Sequence, residues 1–182
     1  WVVEPARGNF PVSVRNLSKN AVEAAEISQE RLVSLMANLN WWDGDSADLK
    51  KLKIPSVKKT LAVPPRLNHW QQFTLDPAQI VSGSSKKTGL YYLSMKAPET
   101  VASSTERVEE QELLVNFTNL GLTTKISPDS GLVWVTALDS GAPIPNADVL
   151  ALDATGQTVW RGKTDVSGVA PTPGRRTLVK PP

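Results

Sequence analysis

From residue 113 onward the chain is a succession of short apolar runs, each ended by turn chemistry, and this cadence restricts the fold more than any other feature. The runs are Leu113–Asn119, Gly121–Ile126, Leu132–Leu138, Asp148–Leu152 and Thr158–Gly162. Between and after them come Pro128-Asp129-Ser130-Gly131, Ser140-Gly141-Ala142-Pro143, Ala154-Thr155-Gly156 and Asp165-Val166-Ser167-Gly168. Glycine supplies positive φ and proline fixes a turn, so the chain must reverse at each of these points. Short strands joined this way predict an antiparallel β-sandwich with no helix in this half. Leu132–Val135 and Val149–Leu152 are apolar at successive positions, which predicts central strands covered on both faces.

The first half reads differently. Phe10, Val12 and Val14 alternate with polar residues in 10–16, the period-2 pattern of a half-buried strand, and 21–27 predicts a second. Leu32, Leu35, Met36 and Leu39 then fall on one helical face, with Ser28 placed to cap the start, so 29–39 predicts a short amphipathic helix. Trp42-Asp43-Gly44-Asp45 is turn chemistry, and Ile54-Pro55 and Val63-Pro64-Pro65 predict extended connections. His69–Leu75 and Gly89–Met95 predict further strands on either side of a Ser82–Lys87 loop. Residues 97–112 carry Pro, Ser, Thr and four acids, Glu106, Glu109, Glu110 and Glu112, without apolar periodicity. The expected organisation is therefore a domain at 1–98 with the inserted helix, a linker at 99–112, and a second domain at 113–182.

Composition narrows the chemistry. With 40% hydrophobic residues the chain can build a core. Twenty Lys and Arg against 18 Asp and Glu leave a net charge of +2, too small a field to direct the whole chain onto nucleic acid. There is no cysteine, so disulfides, thiolate nucleophiles and cysteine-based metal sites are excluded, and the single histidine, His69, excludes a multi-histidine metal site. No catalytic, cofactor-binding or metal site is assigned from the sequence, and an enzyme is not expected. No apolar run approaches the roughly 18 residues of a membrane span, and no charged leader precedes an apolar stretch. A chain that starts at Trp1 and stops at Pro181-Pro182 is expected to derive from a longer polypeptide.

Several clusters invite a functional reading and carry a plainer one. Asp43, Asp45 and Asp48 suggest a calcium loop, but the EF-hand frame puts Asp48 where glycine is needed and Ile54 where glutamate is needed. A solvated acidic turn is the expectation. Lys50, Lys51, Lys53, Lys58, Lys59 and Arg66 lie near Trp41 and Trp42, a mixture that can hold single strands or anionic glycans. No nucleic-acid motif accompanies them, so a solvated basic face is expected, or one that meets an acidic surface such as Glu106–Glu112. Trp41, Trp42 and Trp70 are expected as core or interdomain anchors rather than sugar platforms. His69 lacks an identifiable nucleophile and acid, and is expected at a surface or strand position. The sequons Asn16-Leu17-Ser18 and Asn116-Phe117-Thr118 are expected to be incidental.

One set of motifs is more specific in combination. Asn119-Leu-Gly-Leu-Thr-Thr-Lys125, Gly131-Leu-Val-Trp-Val-Thr136, Asp139-Ser-Gly-Ala-Pro143, Ala147-Asp-Val149 and Thr164-Asp-Val-Ser-Gly-Val-Ala170 follow one another over residues 113–172. In that order they resemble the second macroglobulin-like domain of bacterial alpha-2-macroglobulins. Residues 9–98 resemble the domain before it, through Pro11-Val-Ser-Val-Arg-Asn16 and Gly89-Leu-Tyr-Tyr92. The resemblance implies tandem macroglobulin-like β-sandwiches of a periplasmic protein, anchored to the inner membrane through a part outside these residues. It also implies a protein that inhibits endopeptidases by entrapment after a bait region is cut. Its partners would be proteases, neighbouring macroglobulin domains of the same chain, and a cell-wall synthesis enzyme. Many members link the protease covalently through a thioester at a Cys-x-x-Gln motif, a site this cysteine-free chain lacks, and no bait segment is recognisable in it.

The competing expectation is a cell-envelope scaffold or adhesive sandwich that binds glycan or protein and traps nothing. A length consideration applies to both. Residues 113–182 fall short of the roughly 100 residues of such a sandwich, so the second domain is expected to lack its last strands and to leave a sheet edge unpaired.

Overall fold

The computed structural model describes residues 2–3, 10–17, 19–39, 47–63, 66, 68–83, 88–96 and 110–179. It divides into two compact units, Trp1–Thr118 and Asn119–Pro182.

The first unit is built on a five-stranded sheet. Its strands are β1 (Val2–Val3), β3 (Lys19–Glu26), β4 (Val57–Ala62), β6 (Gly89–Lys96) and β7 (Glu110–Phe117), in the order β1-β7-β6-β3-β4. Apart from the parallel β1–β7 pair, neighbours are antiparallel. A second sheet pairs β2 (Phe10–Arg15) with β5 (Trp70–Leu75). Phe10, Val12, Val14 and Leu75 from the small sheet meet Val22, Ala24, Tyr91, Leu93, Val115 and Phe117 from the large one in a common core. That packing makes the unit a β-sandwich, with β2 the half-buried strand that the alternation in 10–16 predicts. The rings of Tyr91 and Phe117 meet edge to face inside it, centroids 6.0 Å apart.

The large sheet is also covered on its other side. Ala25, Ile27 and Tyr92 there pack against Leu35 and Leu39 of the segment containing α1 (Gln29–Met36), and against Leu49 and Ile54 of the turn that follows. Adjacent residues such as Tyr91 and Tyr92 point to opposite faces of a strand. Both are about 1% exposed, so β6 is buried front and back. The helix stops at Met36, short of the predicted 39, and Met36 faces solvent while Leu32, Leu35 and Leu39 face the sheet. Ser28 sits at the N-cap with extended backbone but its hydroxyl caps no amide. It bonds the Glu30 carboxylate instead, which holds that acid below its ordinary pKa.

Three elements of this unit were not predicted. Val57–Ala62, expected as an extended connection, is an edge strand paired to β3. Pro77–Ser82 forms α2, with the Asp76 side chain capping the Gln79 amide at 3.1 Å and Gly83 closing it at φ +71°. The third is β1. The expected boundary also moves, because β7 pairs with β6 along its whole length, from Gly89↔Phe117 to Lys96↔Glu110. Residues 110–117, expected in the linker and second domain, therefore belong to the first unit.

In the second unit β8 (Leu120–Ile126), β9 (Ser130–Ala137) and β12 (Val169–Pro173) form an antiparallel sheet in the order β12-β9-β8. A hairpin, β10 (Asp148–Leu152) and β11 (Thr158–Lys163), makes a separate two-stranded sheet. β9 is central as predicted, with Val133, Val135 and Ala137 buried. Cover on both faces does not follow, however. Trp134 is 43% exposed, and β10 is a half-buried strand of the hairpin rather than a central one. A four-residue helix, α3 (Arg175–Leu178), occurs where none was expected.

The turns show why glycine and threonine stand where they do. Gly168 adopts φ +74°, and a Cβ there would come within 2.5 Å of the Val135 carbonyl oxygen. The Asp165 carboxylate accepts the Ser167 and Val169 amides at 2.8 and 2.9 Å. Thr164 is 3% exposed; its hydroxyl donates to the Ile144 carbonyl at 2.7 Å and accepts the Ala147 amide at 2.8 Å. One side chain thus ties the end of β11 to the approach to β10.

Candidate functional site

The strap formed by α1 and the turn after it is fixed to the sheet by two carboxylates. Glu112 on β7 accepts the Ala47 amide at 2.6 Å and the Tyr92 hydroxyl through the same oxygen. Glu23 on β3 accepts the Ser56 hydroxyl at 2.6 Å and pairs with the Lys58 ammonium at 3.0 Å. Cross-strand register puts Glu23 beside Ser94, and Ser94 beside Glu112. Of the acids expected to meet the basic stretch, Glu106 and Glu109 lie outside the described residues, and Glu112 accepts from the backbone at Ala47. Lys50, Lys51 and Lys53 are exposed.

The remaining clusters disperse. Lys58 and Lys59 lie on edge strand β4, where charge discourages a further strand from adding, and Arg66 is exposed in the connection after it. Asp48 accepts the Lys51 amide at 3.0 Å and so caps its own turn. Asp43, Asp45, Trp41 and Trp42 lie outside the described residues. Among the described residues no three acids or histidines gather to hold a metal. His69 is exposed just before β5, matching the surface position expected of it. Of the two positions expected for Trp70, core or interdomain, the structure excludes the core. The residue is 69% exposed on β5 in register with Arg15, on the side away from the core. Among the described residues the buried aromatics are Phe10, Tyr91, Tyr92 and Phe117, which the alternating pattern of β2, β6 and β7 could have indicated. Asn116, of one sequon, pairs within the sheet opposite Leu90.

An open depression of about 320 Å³ lies between β3, β4 and β6, lined by Glu23, Lys58, Thr60, Ser94 and Lys96 among others. It brings ammonium groups beside a carboxylate already engaged by Lys58 and Ser56. That arrangement can seat a polar or anionic group but sets no base against a nucleophile. In the second unit, Asp153 is held below its ordinary pKa. The Thr155 hydroxyl donates to it at 2.7 Å, and the Gln157 and Thr155 amides add bonds at 3.0 and 2.8 Å. This carboxylate closes the β10–β11 turn and is structural in its geometry.

The comparisons agree with the sandwich architecture. Residues 117–178 match the bacterial alpha-2-macroglobulin MG3 domain, where the sequence motifs had pointed to the second domain of that series. The chain is 28% identical over 179 residues to an alpha-2-macroglobulin of Xylella fastidiosa, a match covering 91% of this chain but 10% of that protein. In fold it is similar to the alpha-2-macroglobulin of Escherichia coli spanning domains NIE-MG1, with a TM-score of 0.67 at 17% identity over 93% of this chain and 80% of the other. The trypsin-activated alpha-2-macroglobulin of E. coli matches with a TM-score of 0.66 at 16% identity, over 97% of this chain and 12% of that one. The resemblance carried by the turn and strand motifs is therefore borne out: residues 117–178 match a domain of the bacterial alpha-2-macroglobulins, and the chain is similar in sequence and fold to members of that family.

Proposed function

We propose that these two units are a structural, non-enzymatic portion of an inhibitor that entraps endopeptidases after they cut a bait region elsewhere in the polypeptide. The observation that carries this reading is the similarity across both units, in order, to the trypsin-activated E. coli protein. Rigid sandwiches with satisfied turns suit a wall that must survive a large rearrangement around a captured protease. The reading brings with it a periplasmic location, an inner-membrane anchor outside these residues, and a cell-wall synthesis enzyme as a further partner. Since the chain spans a tenth of its curated relative, the test belongs to the full-length polypeptide. Mixed with several unrelated endopeptidases, it should abolish cleavage of a large protein substrate while a small peptide substrate is still cut. Undiminished cleavage of both, with no compaction of the inhibitor, would replace this reading with the envelope scaffold.

A further inference from the structure

The outward face of β2 and β5 carries one large ring among polar groups. Phe10, Val12 and Val14 point into the core, so Pro11, Ser13 and Arg15 point out, and all three are exposed. Register sets Pro11 opposite Thr74, Ser13 opposite Gln72 and Arg15 opposite Trp70, and these residues of β5 are exposed as well. Directly opposite residues of an antiparallel pair stand about 5 Å apart at Cβ and diagonal ones about 7 Å, so the ring and the guanidinium share one spot with Gln72 and Ser13 next along. The turns out of β2 and into β5 are locked to each other. Asn16 and Asn68 take φ of +56° and +62°, and the Asn68 amide donates to the Asn16 side-chain oxygen at 2.5 Å. Arg15 and Trp70 are thus placed beside a fixed corner, which lowers the cost of ordering them around a ligand. Residues 10–17, 66 and 68–75 include no acid, and Arg66 adds a second exposed cation two residues before Asn68.

We propose that this face binds an acidic saccharide, a glycan whose sugar ring bears a carboxylate. The apolar side of the ring lies on Trp70, its carboxylate meets the Arg15 guanidinium, and hydroxyls of that sugar or the next bond to Gln72, Ser13 and Thr74. Three features of the face select this occupant. The centre of a protein–protein seat is apolar and depleted in charge, whereas the one ring here stands directly opposite a cation, with neutral amide and hydroxyl groups behind it. Single-stranded nucleic acid calls for several stacking rings and a run of cations along its backbone, and beyond Arg15 this face turns uncharged. A neutral glycan would leave the guanidinium without a counter-charge, in a stretch that supplies none of its own. Trp70 then acts as the platform that its size and type alone did not indicate. The inference holds whether or not the polypeptide entraps proteases.

The test measures binding of the full-length polypeptide to oligogalacturonate, a carboxylate-bearing oligosaccharide, by titration calorimetry. Saturable binding is expected, and Trp70→Ala and Arg15→Ala should each weaken it about tenfold. Trp70→Phe should recover part of the loss, and Lys51→Ala, at an exposed lysine of the strap turn, should change nothing. A neutral dextran of the same length should bind about tenfold more weakly than oligogalacturonate. Absence of saturable binding would overturn the proposal, as would undiminished binding by Trp70→Ala or an equal loss in Lys51→Ala, which would reduce the effect to general charge. Tighter binding of oligothymidylate, lost in Trp70→Ala, would overturn it in favour of nucleic acid. Accessibility in the assembled protein is read from Trp70→Cys in a full-length polypeptide stripped of other cysteines. Reaction with a polar thiol reagent as fast as that of Val166→Cys, at a turn position 86% exposed, is expected. Protection of position 70 alone would overturn the proposal by showing that another part of the polypeptide covers the face. Should Trp70→Ala fail to fold, Gln72→Ala decides, with an expected loss of about threefold and refutation if binding is unchanged.

Discussion

Thr164 shows how much one small side chain can fix. Its buried hydroxyl serves two backbone groups separated along the chain, Ala147 N–H and Ile144 C=O. Thr164→Val keeps the volume and removes both bonds, leaving a partly buried donor and acceptor without this partner. The expected loss is about 1–3 kcal/mol, read as a lowered urea midpoint for the second unit with the first unit unchanged. A midpoint shift below the error of the titration would show that neither bond matters. This position stood inside the motif Thr164-Asp-Val-Ser-Gly-Val-Ala170, and the motif was legible because each residue answers a local demand. Asp165 gathers two amides and Gly168 takes a positive φ beside a carbonyl. Trp70 was not legible in the same way. Its ring promises burial by size, and only the pairing of β5 with β2 decides that it points outward.

At the scale of elements, local patterning shows where strands are but not which sheet they join. The apolar run at 113–117 was visible as a strand, and its partner Gly89–Lys96 was visible as another. Their pairing crosses the acidic stretch between them, and composition there suggested a boundary instead. β4 was hidden because Lys58 and Lys59 interrupt its apolar pattern, which is what an edge strand needs and a pattern search penalises. α2 carried its signals openly, in Asp76, Pro77 and Gly83, but six residues give too short a period to read. The strap over the large sheet offers the sharpest test at this scale. Removing the carboxylate in Glu112→Ala takes away the acceptor shared by the Ala47 amide and the Tyr92 hydroxyl. The strap should then open more often, with amide exchange in Gln29–Met36 accelerating by about tenfold or more while Phe10–Arg15 is unaffected. Glu112→Gln, which retains a carbonyl acceptor, should restore most of the protection. Equal exchange in all three proteins would mean that Leu35 and Leu39 hold the strap without help.

At the scale of the whole molecule the two units differ in how their apolar residues are spent. The first unit buries two clusters, one on each face of its large sheet, and includes Tyr91, Tyr92, Phe10 and Phe117. In the second unit the buried apolar side chains among the described residues are the small ones Val133, Val135, Ala137 and Ala170, while Leu120, Leu122 and Ile126 remain in solvent. Apolar burial is the main favourable term in folding, and a small unit with an open face has little to set against its conformational entropy. In urea the 182-residue chain should therefore unfold in two steps. The β8–β9 amides should lose protection at a lower midpoint than those of β3 and β6, and with a shallower slope because less surface is exposed. A single transition with one slope for both units would mean that the second unit borrows stability from the first.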